Sequence, residues 1–328
     1  MKRILITGAS GFIGGFLVEE ALKRNWEVTA AVRPTSNRRW LQDERIRFLE
    51  LDFRDEAGMQ EKIAAAGPFQ YVIHNAGSTK EPNREAYFSS NFDNTRRLVE
   101  ALQGSEQPLD KFLYVSSLAA LGPARSGQWI KPGRPPAPVT HYGESKLASE
   151  EYLASQGGFP WVAVQPGAVF GPREKDIYIA IRLAYKGWAF LIGTKPQQLS
   201  FIYVEDLASL MYDALEHGVV GKKYLATDGK AYTNHDVGKA VSEVSGRRAL
   251  TVKVPLPLVR VVAAISESVG SITGKTPPLN REKIGELAAE SWLCDMTESF
   301  ADLPFRPRYD LFEGMRETVH WYKTNNWL

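Results

Sequence analysis

The run Thr7-Gly8-Ala9-Ser10-Gly11-Phe12-Ile13-Gly14 lies between a short apolar stretch, Arg3-Ile4-Leu5-Ile6, and a helix-like segment over residues 12–23. Strand, glycine turn and helix in that order form a cradle for phosphate. The glycines let the backbone turn tightly and approach a pyrophosphate, which then meets the positive end of a helix. The spacing is G-x-x-G-x-x-G, longer in its first gap than the G-x-G-x-x-G dinucleotide fingerprint. A glycine motif alone decides little, so its weight rests on the rest of the chain.

Beyond Gly14 the chain alternates. Strand-like runs at 4–7, 28–32, 46–51, 71–74, 112–116 and 162–165 are separated by helix-like segments at 12–23, 56–66, 85–102 and 141–154. Apolar strands between amphipathic helices imply an α/β fold, a Rossmann-type doubly wound parallel sheet whose ligands bind at the carboxyl ends of the strands. After Gly171 the rhythm changes: helices are expected at 177–186, 204–217, 234–245, 256–269 and 311–324, with strands at 200–203 and 223–226. Residues 1–171 therefore read as a dinucleotide-binding domain, with 200–228 returning to it. Residues 172–328 read as a smaller, mainly helical, discontinuous substrate domain.

Composition narrows the class. A net charge of +2 without long charge runs gives no footprint for nucleic acid. The single cysteine, Cys294, excludes an internal disulfide, and five scattered histidines lack metal-ligand spacing, so no metal site is expected. No apolar run reaches the ~18 residues of a spanning helix, so no integral membrane segment is expected. The chain enters a strand at once, without a signal peptide, and a cytoplasmic protein is the expectation.

Four places carry chemistry. Tyr142-Gly143-Glu144-Ser145-Lys146 puts a phenol and an ammonium on one face of a helix. An ammonium beside a phenol favours the phenolate, which suits the phenol to proton transfer at a carbonyl or alcohol. Ser116 and Ser117 end the fifth strand, where a hydroxyl can hold a substrate oxygen or simply close a turn. His74-Asn75-Ala76-Gly77 ends the fourth strand with small residues that let backbone approach a ligand. Asp52, past the third strand, can accept a hydrogen bond from an adenine amino group or cap a turn.

Taken together, these motifs resemble the extended short-chain dehydrogenase/reductases, the group of sugar-nucleotide epimerases, dihydroflavonol reductases and 3β-hydroxysteroid dehydrogenases. The resemblance spans nearly the whole chain. It adds Asn91 in N-F-D-N-T, Q-P-G-A-V-F-G-P-R at 165–173, F-I-Y-V-E-D-L-A at 201–208 and F-R-P at 305–307. It implies Tyr142 as general acid/base, Lys146 as its tuner and a ribose ligand, and Ser117 as the active serine. It also implies that Gly8, Ser10, Gly11, Phe12, Ile13 and Gly14 hold the pyrophosphate and that Asp52 and Phe53 flank adenine. Ala76, Gly77, Asn91, Pro166 and Val169, with Tyr142 and Lys146, would line the ribose and nicotinamide. Two departures stand out. Gln165 occupies the place of an arginine common in the family, and Leu121 that of a frequent tyrosine. Both make that wall less polar and weaken a transfer of sugar-nucleotide chemistry.

The second strand ends in Arg33-Pro34-Thr35-Ser36-Asn37-Arg38 and offers no carboxylate for a ribose 2′-hydroxyl. Arg33, aided by Ser36 and Arg38, suits a 2′-phosphate, so NADP(H) is preferred and NAD(H) remains an alternative. The expected activity is interconversion of a ketone and a secondary alcohol on a small-molecule substrate. The rivals are a nucleotide-sugar epimerase or dehydratase that retains NAD, and a non-catalytic dinucleotide-binding module. The family suggests a homodimer. In the second domain, Trp188 and Phe190 read as core or pocket lining. Arg173 and Lys175 read as anion contacts or surface. The segment 256–269 reads as a core helix, or else as a substrate lid or a helix near a membrane surface.

Overall fold

The computed structural model describes residues 1–193, 196–273 and 281–328, and their side chains except those of 265, 267–273 and 281–283. Seven strands form the main sheet: β1 (Arg3–Thr7), β2 (Glu27–Val32), β3 (Arg47–Glu50), β4 (Tyr71–His74), β5 (Lys111–Val115), β6 (Trp161–Pro166) and β7 (Lys223–Ala226). Their spatial order is β7-β6-β5-β4-β1-β2-β3, and every pairing is parallel. The order reverses between β1 and β4, the crevice at which open α/β sheets take their ligands. Thr7 pairs with His74 and His74 with Tyr114, so the strands end level where the motifs begin.

The central strands are buried on both faces, which is why they read as unbroken apolar runs. Ile4, Ile6, Val28, Val162 and Val164 join the layer completed by α1 (Phe12–Lys23) and α5 (Val204–His217). Leu5, Val72, Phe112 and Ala163 face the layer that includes α2 (Glu56–Ala66) and α3 (Asn94–Gly104). Each such aliphatic side chain contributes about 1.5–3 kcal/mol when fully buried. The catalytic-motif helix, α4 (His141–Ser155), starts at Thr140, whose hydroxyl accepts from the Gly143 N–H at 3.1 Å. The helix expected over 85–102 is broken: a short turn, Arg84–Tyr87, passes through a π-helical segment, Phe88–Asp93, before α3.

The smaller domain is mixed rather than mainly helical. Strand 188–192 pairs with Leu250–Val254, Ala168–Phe170 with Phe201–Tyr203, and Ser291–Cys294 lies between Gln198–Leu199 and Trp129–Ile130. Several of these strands have only two or three residues, too few to show a period of two. Among the described residues no helix is long and apolar enough to cross a membrane.

Candidate functional site

Gly8 has φ +66°, and a Cβ there would stand 2.7 Å from the Ala76 backbone nitrogen, so β1 and β4 end in contact that admits no side chain. Gly14 is tighter still: its Cβ would sit 2.1 Å from the Gly8 carbonyl oxygen, where α1 crosses the end of β1. Gly11 is the exposed N-cap of α1 and contributes no side-chain cap, whereas α2 and α4 are capped by Asp55 and Thr140. The first N–H groups of α1, from Phe12 to Gly14, are therefore left to an external acceptor. Ser10, Phe12 and Ile13 are half-buried around that opening. This cradle fits a pyrophosphate.

Below the cradle runs a chain of hydrogen bonds. The Ala76 N–H donates to Thr7 Oγ1 at 3.1 Å, and Thr7 Oγ1 lies 2.7 Å from His74 Nδ1. His74 Nε2 lies 3.0 Å from Thr95 Oγ1, which itself donates to the Asn91 carbonyl at 2.7 Å. Because Thr95 spends its proton on Asn91, His74 donates from Nε2 and accepts from Thr7 at Nδ1. Burial, with the Lys146 charge adding to it, drives the His74 pKa down to about 3, so the ring stays neutral. Asn91, in the π-helical segment, is fully buried: its amide donates to the Ser78 carbonyl and to Ser145 Oγ, and its Oδ1 accepts from the Ser78 N–H. The resemblance implied a ribose contact for Asn91. Its side chain joins the loop after β4 to α4 through these bonds.

Tyr142, Lys146 and Ser117 converge above the end of β5. Ser117 caps the turn Leu118–Ala120 by accepting from the Ala119 N–H, which leaves its own proton to donate. Its hydroxyl reaches the Tyr142 phenol. Burial pushes that phenol well above its ordinary pKa, the Ser117 hydrogen bond pulls it back, and the negative charge of Glu286 adds to the rise. Lys146 is buried, donates to the Val115 carbonyl at 2.8 Å and stands 4.8 Å over the Tyr114 ring. Burial lowers its pKa to about 8, against the opposing pull of Glu150. The phenol is thus governed by burial and Ser117, where the helix spacing alone had suggested the ammonium. Gly77 leaves room beside these groups: a Cβ would lie 2.7 Å from Asn91 Oδ1 and 3.4 Å from Lys146 Nζ.

Ser116 points the other way. It donates to Glu150, whose carboxylate also accepts from Gln165 Nε2 at 2.8 Å and lies 2.8 Å from Lys223 Nζ. Sequence reading missed Glu150, although its place four residues after Lys146 puts it on the same helix face. Pro166 is buried at the end of β6, and Val169 is half-buried on the strand after it.

At the end of β2, the Arg33 backbone N–H donates to Ser36 Oγ at 3.0 Å, and Arg38 pairs with Glu50 at 2.7 Å while covering the Phe48 ring. Ser36, like Ser117, keeps its own proton to donate, and Glu50 takes one nitrogen of Arg38. The exposed Arg33 guanidinium has no carboxylate partner among the described residues. Asp52 is held by a two-point pair with Arg54, at 3.1 and 3.0 Å, which lowers its pKa to about 2. Phe53 packs against the His74 ring, 5.9 Å between centroids. Arg173 stacks between Phe16 and Trp40, 4.5 Å from each ring, and pairs with Glu19 at 2.7 Å, so it is not free surface. Lys175 is exposed.

A model of the NAD dependent epimerase/dehydratase family matches residues 4–226. The chain is 24% identical to a ceramide reductase of Caulobacter vibrioides, over 99% of this chain and 96% of the relative. It is 26% identical to a putative dihydroflavonol 4-reductase of Synechocystis, over 98% and 95%. Among solved structures it is similar to a UDP-glucose 4-epimerase of Thermus thermophilus in complex with NAD, with TM-score 0.79, 24% identity, and coverage of 98% and 99%.

Proposed function

Since the chain belongs to the NAD dependent epimerase/dehydratase family, whose members bind a nicotinamide dinucleotide, we propose that it is an NADP(H)-dependent oxidoreductase interconverting a ketone and a secondary alcohol. The observation that carries this reading is the contact of Ser117 with Tyr142 above a buried Lys146, at the strand ends that border the glycine cradle. Gly8, Gly11 and the N–H groups of Phe12 to Gly14 would hold the pyrophosphate, Arg33 a 2′-phosphate, and Lys146 the nicotinamide ribose. Asp52 and Phe53 would flank the adenine, and Ala76, Gly77, Pro166 and Val169 would border the inner half. The nicotinamide supplies or accepts hydride.

The chain's own residues handle the proton and the oxygen. In the reductive direction Tyr142 gives its phenolic proton to the substrate oxygen, and in the oxidative direction it takes that proton back. Its raised pKa keeps the proton in place until an oxygen of growing basicity draws it off. Ser117 donates to the same oxygen and so stabilises the charge that develops there. The neutral His74 relay fixes the ends of β1 and β4 without adding charge to the site. Leu121, where the family often has a tyrosine, offers no hydroxyl to a sugar nucleotide and so favours an apolar substrate. The relatives named for ceramide and dihydroflavonol reduction point the same way.

The test is turnover of a panel of apolar ketones by dialysed protein given NADPH or NADH. Net NADPH oxidation that Tyr142→Phe abolishes is expected. NAD that copurifies and persists through turnover of a nucleotide sugar would replace this reading with that of an epimerase or dehydratase.

A further inference from the structure

The second domain carries an apolar face that no other part of the described chain covers. Trp188 and Phe190 alternate along their strand, and Leu250 stands opposite Trp188 in the parallel pair, so all three share one side of that small sheet. One residue, Pro255, joins this pair to the helix Leu256–Thr273. On that helix Val259 and Ala263 are buried against Ile284, while Leu258, Val261 and Val262 form a second stripe at i, i+3 and i+4 on the outside. These six outward side chains are each between 48% and 60% exposed. Trp188 and Phe190, read from sequence as core or pocket lining, thus face outward. Isolated exposed apolar residues are ordinary, but two such stripes on elements joined by a single residue mark a contact surface.

The charge around the face identifies its partner. Residues 177–193 and 244–266 contain Arg182, Lys186, Arg247, Arg248, Lys253 and Arg260 and not one acidic residue. The whole chain has 40 basic and 38 acidic residues, so this balance belongs to these two segments, which Asp176, Glu243 and Glu267 bound, and not to the composition. All six cations are exposed. On the preceding helix, Asp176–Tyr185, exposed Ile179 and Leu183 are interleaved with Arg182, and Lys186 comes one turn later. Lys186, Arg247 and Arg248 stand two or three residues from Trp188 and Leu250, at the end where the two strands pair. Exposed apolar side chains flanked by such cations complement a bilayer surface, whose acyl boundary takes the former and whose anionic headgroups take the latter.

The face also lies one layer from the chemistry. Ile284, against which the docked stripe's helix packs, belongs to Arg281–Ala288. That second helix crosses the start of α4: a Cβ on Gly285 would lie 3.2 Å from the Val139 carbonyl, and Glu286 acts on the Tyr142 phenol.

We propose that this face seats the protein peripherally on membranes rich in anionic phospholipid. The seating does not depend on the ketone–alcohol reaction, because vesicle binding is read without turnover. The experiment is cosedimentation of the full chain with phosphatidylcholine vesicles containing about 30 mol% phosphatidylglycerol, against phosphatidylcholine alone. Binding at least about tenfold stronger to the anionic vesicles is expected, falling when salt rises from about 0.1 M to about 0.5 M. Val261→Glu/Val262→Glu and, separately, Arg247→Glu/Arg248→Glu should each lose that binding while retaining NADPH affinity and far-UV circular dichroism. Absence of binding by the wild type, or binding unaltered in both folded variants, would overturn the proposal. So would a dimer in light scattering that Val261→Glu/Val262→Glu dissociates, since a second copy would then cover the face.

Discussion

Lys223, on the edge strand β7, holds its ammonium 2.8 Å from the carboxylate of Glu150, which is wholly buried in the catalytic helix. Gln165, one strand inward, donates to the same carboxylate but brings no charge. The cation that an arginine at 165 would provide thus comes from the neighbouring strand, and Glu150 stays able to act on Lys146 four residues before it.

Removing that cation should unbalance a buried carboxylate. Lys223→Met is expected to lower stability by about 1–3 kcal/mol, the cost of a buried group left poorly satisfied, reduced because Lys223 is partly exposed. Adding Gln165→Arg to Lys223→Met should restore most of the loss. Urea denaturation of the three proteins checks this, and an unchanged midpoint in Lys223→Met would refute the role given to the pair.

The pH profile is set by Lys146. Its folded pKa of about 8 lies below the ordinary lysine value of 10.5, so the ammonium is present below pH 8 and lost above it. In the reductive direction kcat/KM should therefore decline as pH rises through about 8, while Tyr142, whose pKa is raised, stays protonated. Glu150→Gln removes the charge that holds Lys146 up and should move the decline to lower pH. An alkaline limb that does not respond to Glu150→Gln would break the link between these two residues.

Proton transfer and oxygen binding should separate on mutation. Tyr142→Phe is expected to lower kcat by about 10²–10⁴-fold, the range of a lost general acid. Ser117→Ala should cost about 10²-fold, as for one oxyanion donor. Both should leave the NADPH dissociation constant within a factor of about two, since neither residue is given a cofactor charge to bind. Steady-state kinetics beside equilibrium fluorescence titration distinguishes the two effects.

The proposed preference for NADP(H) makes Arg33 its test. With Arg38 paired to Glu50, Arg33→Ser should weaken NADPH about 10–100-fold, the worth of a charge-assisted contact, and leave NADH nearly unaffected. Titration of both nucleotides measures it. Equal losses for the two would show that Arg33 stacks on adenine and does not read the phosphate.

The sequence made the sheet legible because its strands, such as Tyr71–His74, are short apolar runs, and helices such as Phe12–Lys23, which opens on Gly11, lie between them. It also brought Ser117, Tyr142 and Lys146 into view, because each stands at a fixed place relative to a strand end. Three things were hidden. The π-helical break at Phe88–Asp93 keeps the same apolar spacing as the helix expected there. The Glu150–Lys223 pair joins residues from distant segments, and neither belongs to a motif. The outward face at Trp188 and Phe190 looks like core, since alternation shows that two residues share a side and not which side is covered.

The caging of Arg173 bears on how such proteins can be altered. One guanidinium is gripped by Phe16 of the glycine-turn helix and Trp40 of the loop after β2, and it comes from the segment that follows strand Ala168–Phe170. Arg173 itself sits at φ +74°, a backbone setting that ordinary residues seldom adopt. Residues 33–40 are thus not an interchangeable module. A graft of another protein's loop, made to switch nucleotide preference, would strip one wall from a half-enclosed cation unless an aromatic ring at position 40 travels with it.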